Sequence, residues 1–221
     1  MKKRIAYISL YFFTVLLIFI LQKPLFMLYN GSIEKGFGPA EYMQVMVHGA
    51  SLDAATAGYL TALPFLLVLV SIWLKKFPLK KILWGYYILV ATLVSIIFVV
   101  DMALYTFWGF KLDASVFLYV DSPKEALASV STGFIALRVL AILLLIALYT
   151  CLLLKITPSV LGVVRRRWAG TAVMLLIGGV LFIMIRGGVT ESTSNIGQVY
   201  FSSEPFLNHS AVNPDFSLLS S

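Results

Sequence analysis

Charged residues are scarce in this sequence. Asp, Glu, Lys and Arg make up 12% of the 221 residues, whereas hydrophobic residues make up 60% and the mean hydropathy is +0.94. These values lie far outside the range of soluble globular domains. The net charge of +7 does not indicate a nucleic-acid partner, because the basic residues form short clusters at the ends of apolar runs. The composition therefore predicts an integral membrane protein.

Residues that commonly carry chemistry are also few. The single cysteine, Cys151, excludes a disulfide framework and a CxxC motif, and we interpret it as a small buried apolar side chain. His48 and His209 are isolated, and no Asp/His cluster has metal-site spacing. The H-E-x-x-H, G-x-S-x-G, Walker and Cys-x-Pro-x-Arg motifs are all missing. We therefore assign no catalytic residue, no metal site and no cofactor to this chain.

Long apolar stretches are abundant, and five of them are long enough, or nearly so, to cross a bilayer. The predicted spans cover residues 5–29, 54–74, 82–104, 134–154 and 168–186. A cleaved signal peptide is the alternative for the first stretch, because MKKR precedes it, but no A-x-A-like site follows. Pro64 should kink the second span. The fold class is thus an all-α integral membrane protein with a five-helix domain over residues 1–186.

The distribution of charge predicts the orientation of this domain. Basic residues cluster at the N-terminus, between spans two and three, and between spans four and five: Lys2, Lys3, Arg4, Lys75, Lys76, Lys80, Lys81, Lys155, Arg165, Arg166 and Arg167. The loops on that side contain no acidic residue. By the positive-inside rule the N-terminus lies inside and the C-terminus outside the cytoplasm. The predicted location is the cytoplasmic (inner) membrane, crossed several times.

Two outer segments carry interfacial patterns. AEYMQVMVHGA places Glu41 and His48 on one face of a short helix lying in the interface, after which Ser51 or Asp53 is expected to cap the second span. A solvated amphipathic connector is the alternative to a substrate-contacting role for the polar face. The second segment contributes Trp108 to an aromatic belt and Lys111 beside it. DSPKEA, residues 121–126, then predicts a further helix start.

Three ionisable residues lie within the apolar stretches, at the expected outer ends of the spans. They are Asp101, Arg138 and Arg186. Charges at such depth are costly and are normally paired or functional. Asp101 and Arg138 are candidates for an interhelical ion pair, and the two arginines are candidates for binding a lipid phosphate. Simple pairing combined with snorkelling to the interface is the alternative.

Three blocks of the sequence resemble a known family. AGYLTALP (Ala57 to Pro64), FWGFKLDASVFLYVDSPKEALASVSTG (Phe107 to Gly133) and RGGVTESTSNIGQVYFSSEPFLNHSAVNPDFSLLSS (Arg186 to Ser221) are similar to the membrane region of lipoteichoic acid synthase-like proteins of the Bacteroidetes type, often labelled sulfatases. The resemblance implies five N-terminal helices, a linker and an extracytoplasmic catalytic domain of the alkaline phosphatase superfamily with a divalent metal, commonly manganese. None of that domain's residues can be assigned here.

The resemblance gives residues 187–221 the role of an extracytoplasmic linker. His209 is an interfacial candidate in it, and Phe206, Leu207 and Phe216 should pack on the membrane or on the absent domain, and be poorly ordered without it. The implied function is to anchor and orient a phosphoglycerol transferase or sulfatase-like enzyme, with membrane lipid, such as phosphatidylglycerol, and the enzyme's own catalytic domain as partners. This chain alone would not catalyse. The alternative is a stand-alone membrane scaffold or transporter accessory protein.

Overall fold

The computed structural model describes residues 1–31, 36–74, 77–117, 130–159, 161–189 and 192–221. Within these ranges the chain is helical. The elements named here are α1 Lys2–Asn30, α2 Pro39–Val70, α3 Leu79–Trp108, α4 Thr132–Ile156 and α5 Arg167–Arg186, followed by a 3-10 helix Ile196–Val199, α6 Pro205–Ala211 and α7 Pro214–Ser220. The helix start predicted for residues 121–126 lies outside the described residues.

Helices α1 to α5 have the length and apolarity needed to cross a membrane, as the sequence predicts. The shortest, α5, has 20 residues, which correspond to about 30 Å of helix at 1.5 Å per residue. Their outward faces are apolar; Leu137, Leu144 and Leu176 are each at least 60% exposed. This surface is compatible with a multi-pass membrane protein. Cys151 lies on an exposed face of α4, so its predicted burial is wrong.

The bundle is held together by a core rich in tyrosine. Helix α1 packs mainly against α2, α3 against α4, and α5 against α2. Tyr7 and Tyr87 are buried, and their hydroxyl oxygens lie 2.5 Å apart. The Tyr87 hydroxyl also lies 2.8 Å from that of Thr157. These contacts join α1, α3 and the end of α4, and they give the hydroxyl groups of Tyr7 and Tyr87 partners that offset the cost of burying them.

Pro64 lies inside α2, and the Leu60 carbonyl that it leaves without a backbone donor is bonded by another helix. Proline lacks the N–H that would bond the carbonyl four residues earlier. The Tyr86 hydroxyl of α3 donates to the Leu60 carbonyl oxygen at 2.7 Å. A neighbouring helix therefore supplies the missing donor, which is how proline is tolerated in apolar helices.

The structure corrects the prediction of a separate interfacial helix before span two. Residues from Pro39 to Val70 form one continuous helix, so neither Ser51 nor Asp53 begins a new one. The cap lies upstream, where Glu41 Oε2 accepts a hydrogen bond from the Gly38 amide at 2.9 Å. Asp53 is fully buried against α1. A carboxylate occurs at this position because it pairs with Lys23 of α1, and not because a helix begins there.

The segment after α5 is also different from the prediction. Gly187 and Gly188 have φ of 93° and 123°, which L side chains rarely adopt, and their amides bond the Ile183 carbonyl as α5 ends. The chain then turns back over the helix ends and forms α6 and α7. Leu207 and Phe216 are buried against the bundle. These side chains therefore pack on the bundle itself, and not on the membrane surface or an absent domain as predicted.

Candidate functional site

The two ends of the bundle differ in chemistry. One end, called the basic end, holds the start of α1, α3 and α5; its basic residues in the described ranges are Lys2, Lys3, Arg4, Lys80, Lys81, Lys155, Arg165, Arg166 and Arg167. At the opposite end, called the capped end, residues 192–221 cover α1, α2 and α3. A second apolar core lies beneath this cover, formed by Met27, Val45, Leu52 and Ala55 of the bundle and Val199, Leu207, Ala211, Val212 and Phe216 of the segment.

Two buried ion pairs lie beside that core at the capped end. Lys23 of α1 pairs with Asp53 of α2, and Lys111, just after α3, pairs with Asp101 of α3. Asp101 also accepts a hydrogen bond from the Leu112 amide at 3.0 Å. All four charged side chains are less than 10% exposed. Buried charges require such partners, since an unpaired ion in an apolar interior is strongly unfavourable.

Asn213 connects the covering segment to the first of these pairs. Its Nδ2 donates to Asp53 Oδ1 at 2.9 Å. Its Oδ1 accepts from the amides of Asp215 and Phe216 at 2.9 and 3.1 Å, which caps the start of α7. Asn213 is only 1% exposed. A single side chain therefore starts α7 and fixes it on α2.

Asp215 is a third buried carboxyl group in this region. Burial, followed by the negative charge of Asp101, raises the pKa of Asp215 well above its ordinary value, although Lys111 acts in the opposite direction. Its Oδ2 atom has no hydrogen-bond partner among the described residues. The protonated form is favoured at this position, since it avoids a further negative charge beside Asp53 and Asp101.

His209 lies at the edge of the same region, on α6. Its Nδ1 atom is 3.0 Å from the Tyr105 hydroxyl, and its ring contacts that of Tyr200. Burial, followed by the charge of Lys111, lowers the pKa of His209. The neutral imidazole is thus favoured and acts as a packing and hydrogen-bonding group between α3 and α6.

The predicted pairing of Asp101 with Arg138 is wrong. Gly109 ends α3 in the left-handed conformation, with φ of 71°, and so turns the chain back and brings Lys111 to Asp101. Arg138 instead lies over the ring of Phe134, 3.5 Å from its centroid, and donates to the Tyr29 hydroxyl. Lys111 therefore neutralises the Asp101 carboxylate, and Arg138 lies half-buried at the bundle surface.

The remaining predicted residues are dispersed around the capped end. His48 is exposed on α2 and stacks on Phe201 with ring centroids 4.4 Å apart. Trp108 stacks on Phe110 at 5.4 Å. Arg186 is half-buried at the end of α5, and its carbonyl oxygen accepts from the Ser194 amide at 2.9 Å. These residues do not converge on one site.

Sequence reasoning missed Lys23, Asn213 and Asp215. A signal was present for Lys23, because Gln22 and Lys23 interrupt an otherwise apolar helix. Asn213 and Asp215 lie in a polar segment, where nothing distinguishes them from solvated residues. Within the described ranges no three His, Cys, Asp or Glu side chains are grouped as metal ligands. The charges at the capped end neutralise one another, which suits them to holding the segment in place.

Comparisons with known proteins found no matching family model, no matching curated protein and no matching solved structure.

Proposed function

We propose that this bundle is the membrane base of a lipoteichoic acid synthase-like enzyme and that its capped end orients an extracytoplasmic catalytic domain. The observation that carries the proposal is the docking of residues 205–220 on α2 through Asn213 and Asp53. A flexible tether would only keep a domain near the membrane. A segment fixed on the bundle would also determine how a following domain faces the lipid surface.

The chemistry of the docking interface supports this role. Val212 and Phe216 are buried in an apolar core shared with α1 and α2, and Asn213 lies between them in the sequence. Apolar burial supplies affinity, while a buried hydrogen bond to a charged group fixes the register. Apolar burial together with the Asn213–Asp53 hydrogen bond favours a single orientation of residues 205–220 on the bundle.

The charge difference between the two ends supports a defined orientation in the membrane. The basic end, with Arg4, Lys80 and Arg167, would face the cytoplasm by the positive-inside rule. The capped end would then face outward, where the catalytic domain of such enzymes is expected. Arg138 and Arg186 would lie near the outer surface, available to the phosphate of a phosphatidylglycerol substrate.

Cysteine labelling in intact cells tests the orientation. In a Cys151→Ser background, Ser203→Cys reports on the capped end and Ser159→Cys on the basic end, since both serines are exposed. A membrane-impermeant maleimide should label Ser203→Cys in intact cells and Ser159→Cys only after permeabilisation. The reverse pattern would contradict the proposed orientation, and with it the placement of a catalytic domain.

The size of the native gene product distinguishes an enzyme base from a stand-alone scaffold. An antibody against residues 192–221 should detect, in the source cells, a species much larger than 24.5 kDa. A species of 24.5 kDa would instead support the scaffold, and the enzyme proposal would be abandoned.

A further inference from the structure

A cavity lies at the basic end of the bundle, away from the docked segment. Its volume is about 540 Å³, and it opens between the start of α1, the end of α2, the start of α3 and the connection from α4 to α5. That volume falls in the range of small-molecule sites, about 300–1,000 Å³. A much smaller cavity, of about 10 Å³, lies near Lys23 and Lys111 among the described residues of the capped end.

The charge lining this cavity has one sign. Arg4, Lys80, Lys81 and Arg167 contribute side chains from three different helices. No Asp or Glu occurs among the described residues that line it. The lysines at the capped end, in contrast, are each neutralised by a buried aspartate. The cavity is therefore an electropositive concavity, which attracts anions more strongly than the same charges on a flat surface.

Arg4 is the fixed element of this site. Its guanidinium is buried, with 3% of the residue exposed. The Nη atoms donate to the carbonyl oxygens of Leu161, Gly162 and Ser71 at 3.1, 3.3 and 3.2 Å. Its Nε has no hydrogen-bond partner among the described residues. These carbonyls hold the guanidinium in place but supply no negative charge, so a buried cation without a carboxylate partner remains beside the cavity.

The rest of the lining suits an amphiphile. Ser71 and Thr157 line the wall with the cations, and Phe77, Leu83 and Val164 supply apolar surface. A phosphate group has several acceptor oxygens for arginine and lysine donors. A small inorganic anion would leave the apolar wall uncovered, whereas glycerol or acyl groups would cover it.

We propose that the cavity at the basic end binds the phosphate group of an anionic glycerophospholipid. Arg4 supplies fixed positive charge at its wall, and Lys80, Lys81 and Arg167 are its adaptable cations. The site lies at the opposite end from the docked segment and does not depend on the proposed enzyme role. Its failure would leave that role untouched.

The test keeps Arg4 intact, because its contacts to three carbonyls also support the fold. The pocket variant is Lys80→Gln/Lys81→Gln/Arg167→Gln, and the matched control is Lys2→Gln/Lys3→Gln/Arg166→Gln. The control removes three positive charges from exposed residues at the same end that do not line the cavity. Binding of phosphatidylglycerol and phosphatidylcholine to the purified full chain is measured by native mass spectrometry and by titration in nanodiscs, with glycerol 3-phosphate as a competitor.

We expect the pocket variant to bind phosphatidylglycerol about tenfold more weakly than the control, because charge-assisted hydrogen bonds are lost. Phosphatidylcholine should bind weakly to both proteins. If the pocket variant loses phosphatidylglycerol binding, and glycerol 3-phosphate does not compete for the unsubstituted protein, the ligand is the headgroup of the intact lipid. Strong competition by glycerol 3-phosphate would identify a soluble phosphate ester and overturn the lipid assignment. Equal losses in the pocket and control variants would show only general surface attraction and would overturn the site.

Discussion

The Asn213 side chain donates a hydrogen bond to the Asp53 carboxylate at 2.9 Å, across 160 residues of sequence. The same carboxylate pairs with Lys23 of α1. One aspartate therefore joins two transmembrane-length helices and the docked C-terminal segment. This hydrogen bond helps to hold residues 205–220 on the bundle, and substitution of Asn213 tests its contribution directly.

Substitution of Asn213 should loosen the docked segment. Asn213→Ala removes the donor to Asp53 and the cap of α7, and the loss of a hydrogen bond to a charged group is expected to destabilise by about 1.5–3 kcal/mol. Hydrogen exchange over residues 205–220 should increase while α3 and α4 stay protected. The control is Asn195→Ala, an exposed position among the covering residues 192–221 but outside residues 205–220. Equal exchange in the two variants would contradict the role of Asn213.

Loss of one partner of the second ion pair should destabilise the bundle. Lys111→Met leaves Asp101 buried without its cation, a change expected to cost about 3–5 kcal/mol. Thermal unfolding in detergent measures the effect, and adding Asp101→Asn to Lys111→Met should restore part of the stability. Lys155→Met, at an exposed lysine, is the control and should change little. An unchanged melting temperature for Lys111→Met would argue that the pair is not buried.

Gly49 should tolerate no side chain. A Cβ atom at this position would overlap with Lys23 Cε and with the Ala211 carbonyl oxygen. Gly49→Ala is therefore expected to separate α1, α2 and α6 and to lower the melting temperature. Gly85→Ala is the matched control, because its Cβ would meet nothing within 4 Å and alanine favours a helix by about 1 kcal/mol. A similar result for both glycines would refute the close approach at Gly49.

Asp215 should make stability depend on pH in a defined direction. Burial raises the pKa of Asp215 in the folded state above its ordinary value of 3.8, so over a range of pH the folded protein holds a proton that the unfolded chain has released. The stabilising contribution of Asp215 is fully present below pH 3.8 and is lost as the pH rises toward the folded-state pKa.

Asp215→Asn removes this ionisation while keeping a neutral side chain of similar shape. The melting temperature of the variant, minus that of the unsubstituted protein, should therefore increase between pH 4 and pH 8. Asp113→Asn, at a half-buried position, serves as the control. A constant difference across the pH range would show that Asp215 is not buried as a neutral acid.

The sequence alone determined the number of apolar helices and the approximate limits of all but the second, because bilayer thickness and hydropathy act through local composition. It also determined that the basic residues gather at the ends of these helices. It indicated that Asp101 needs a partner, but not that the partner is Lys111, because that choice depends on the turn at Gly109. Only the tertiary structure decided that α2 is continuous through Asp53, and only packing decided that residues 192–221 cover one end. Those outcomes depend on contacts between residues far apart in sequence, which local periodicity does not encode.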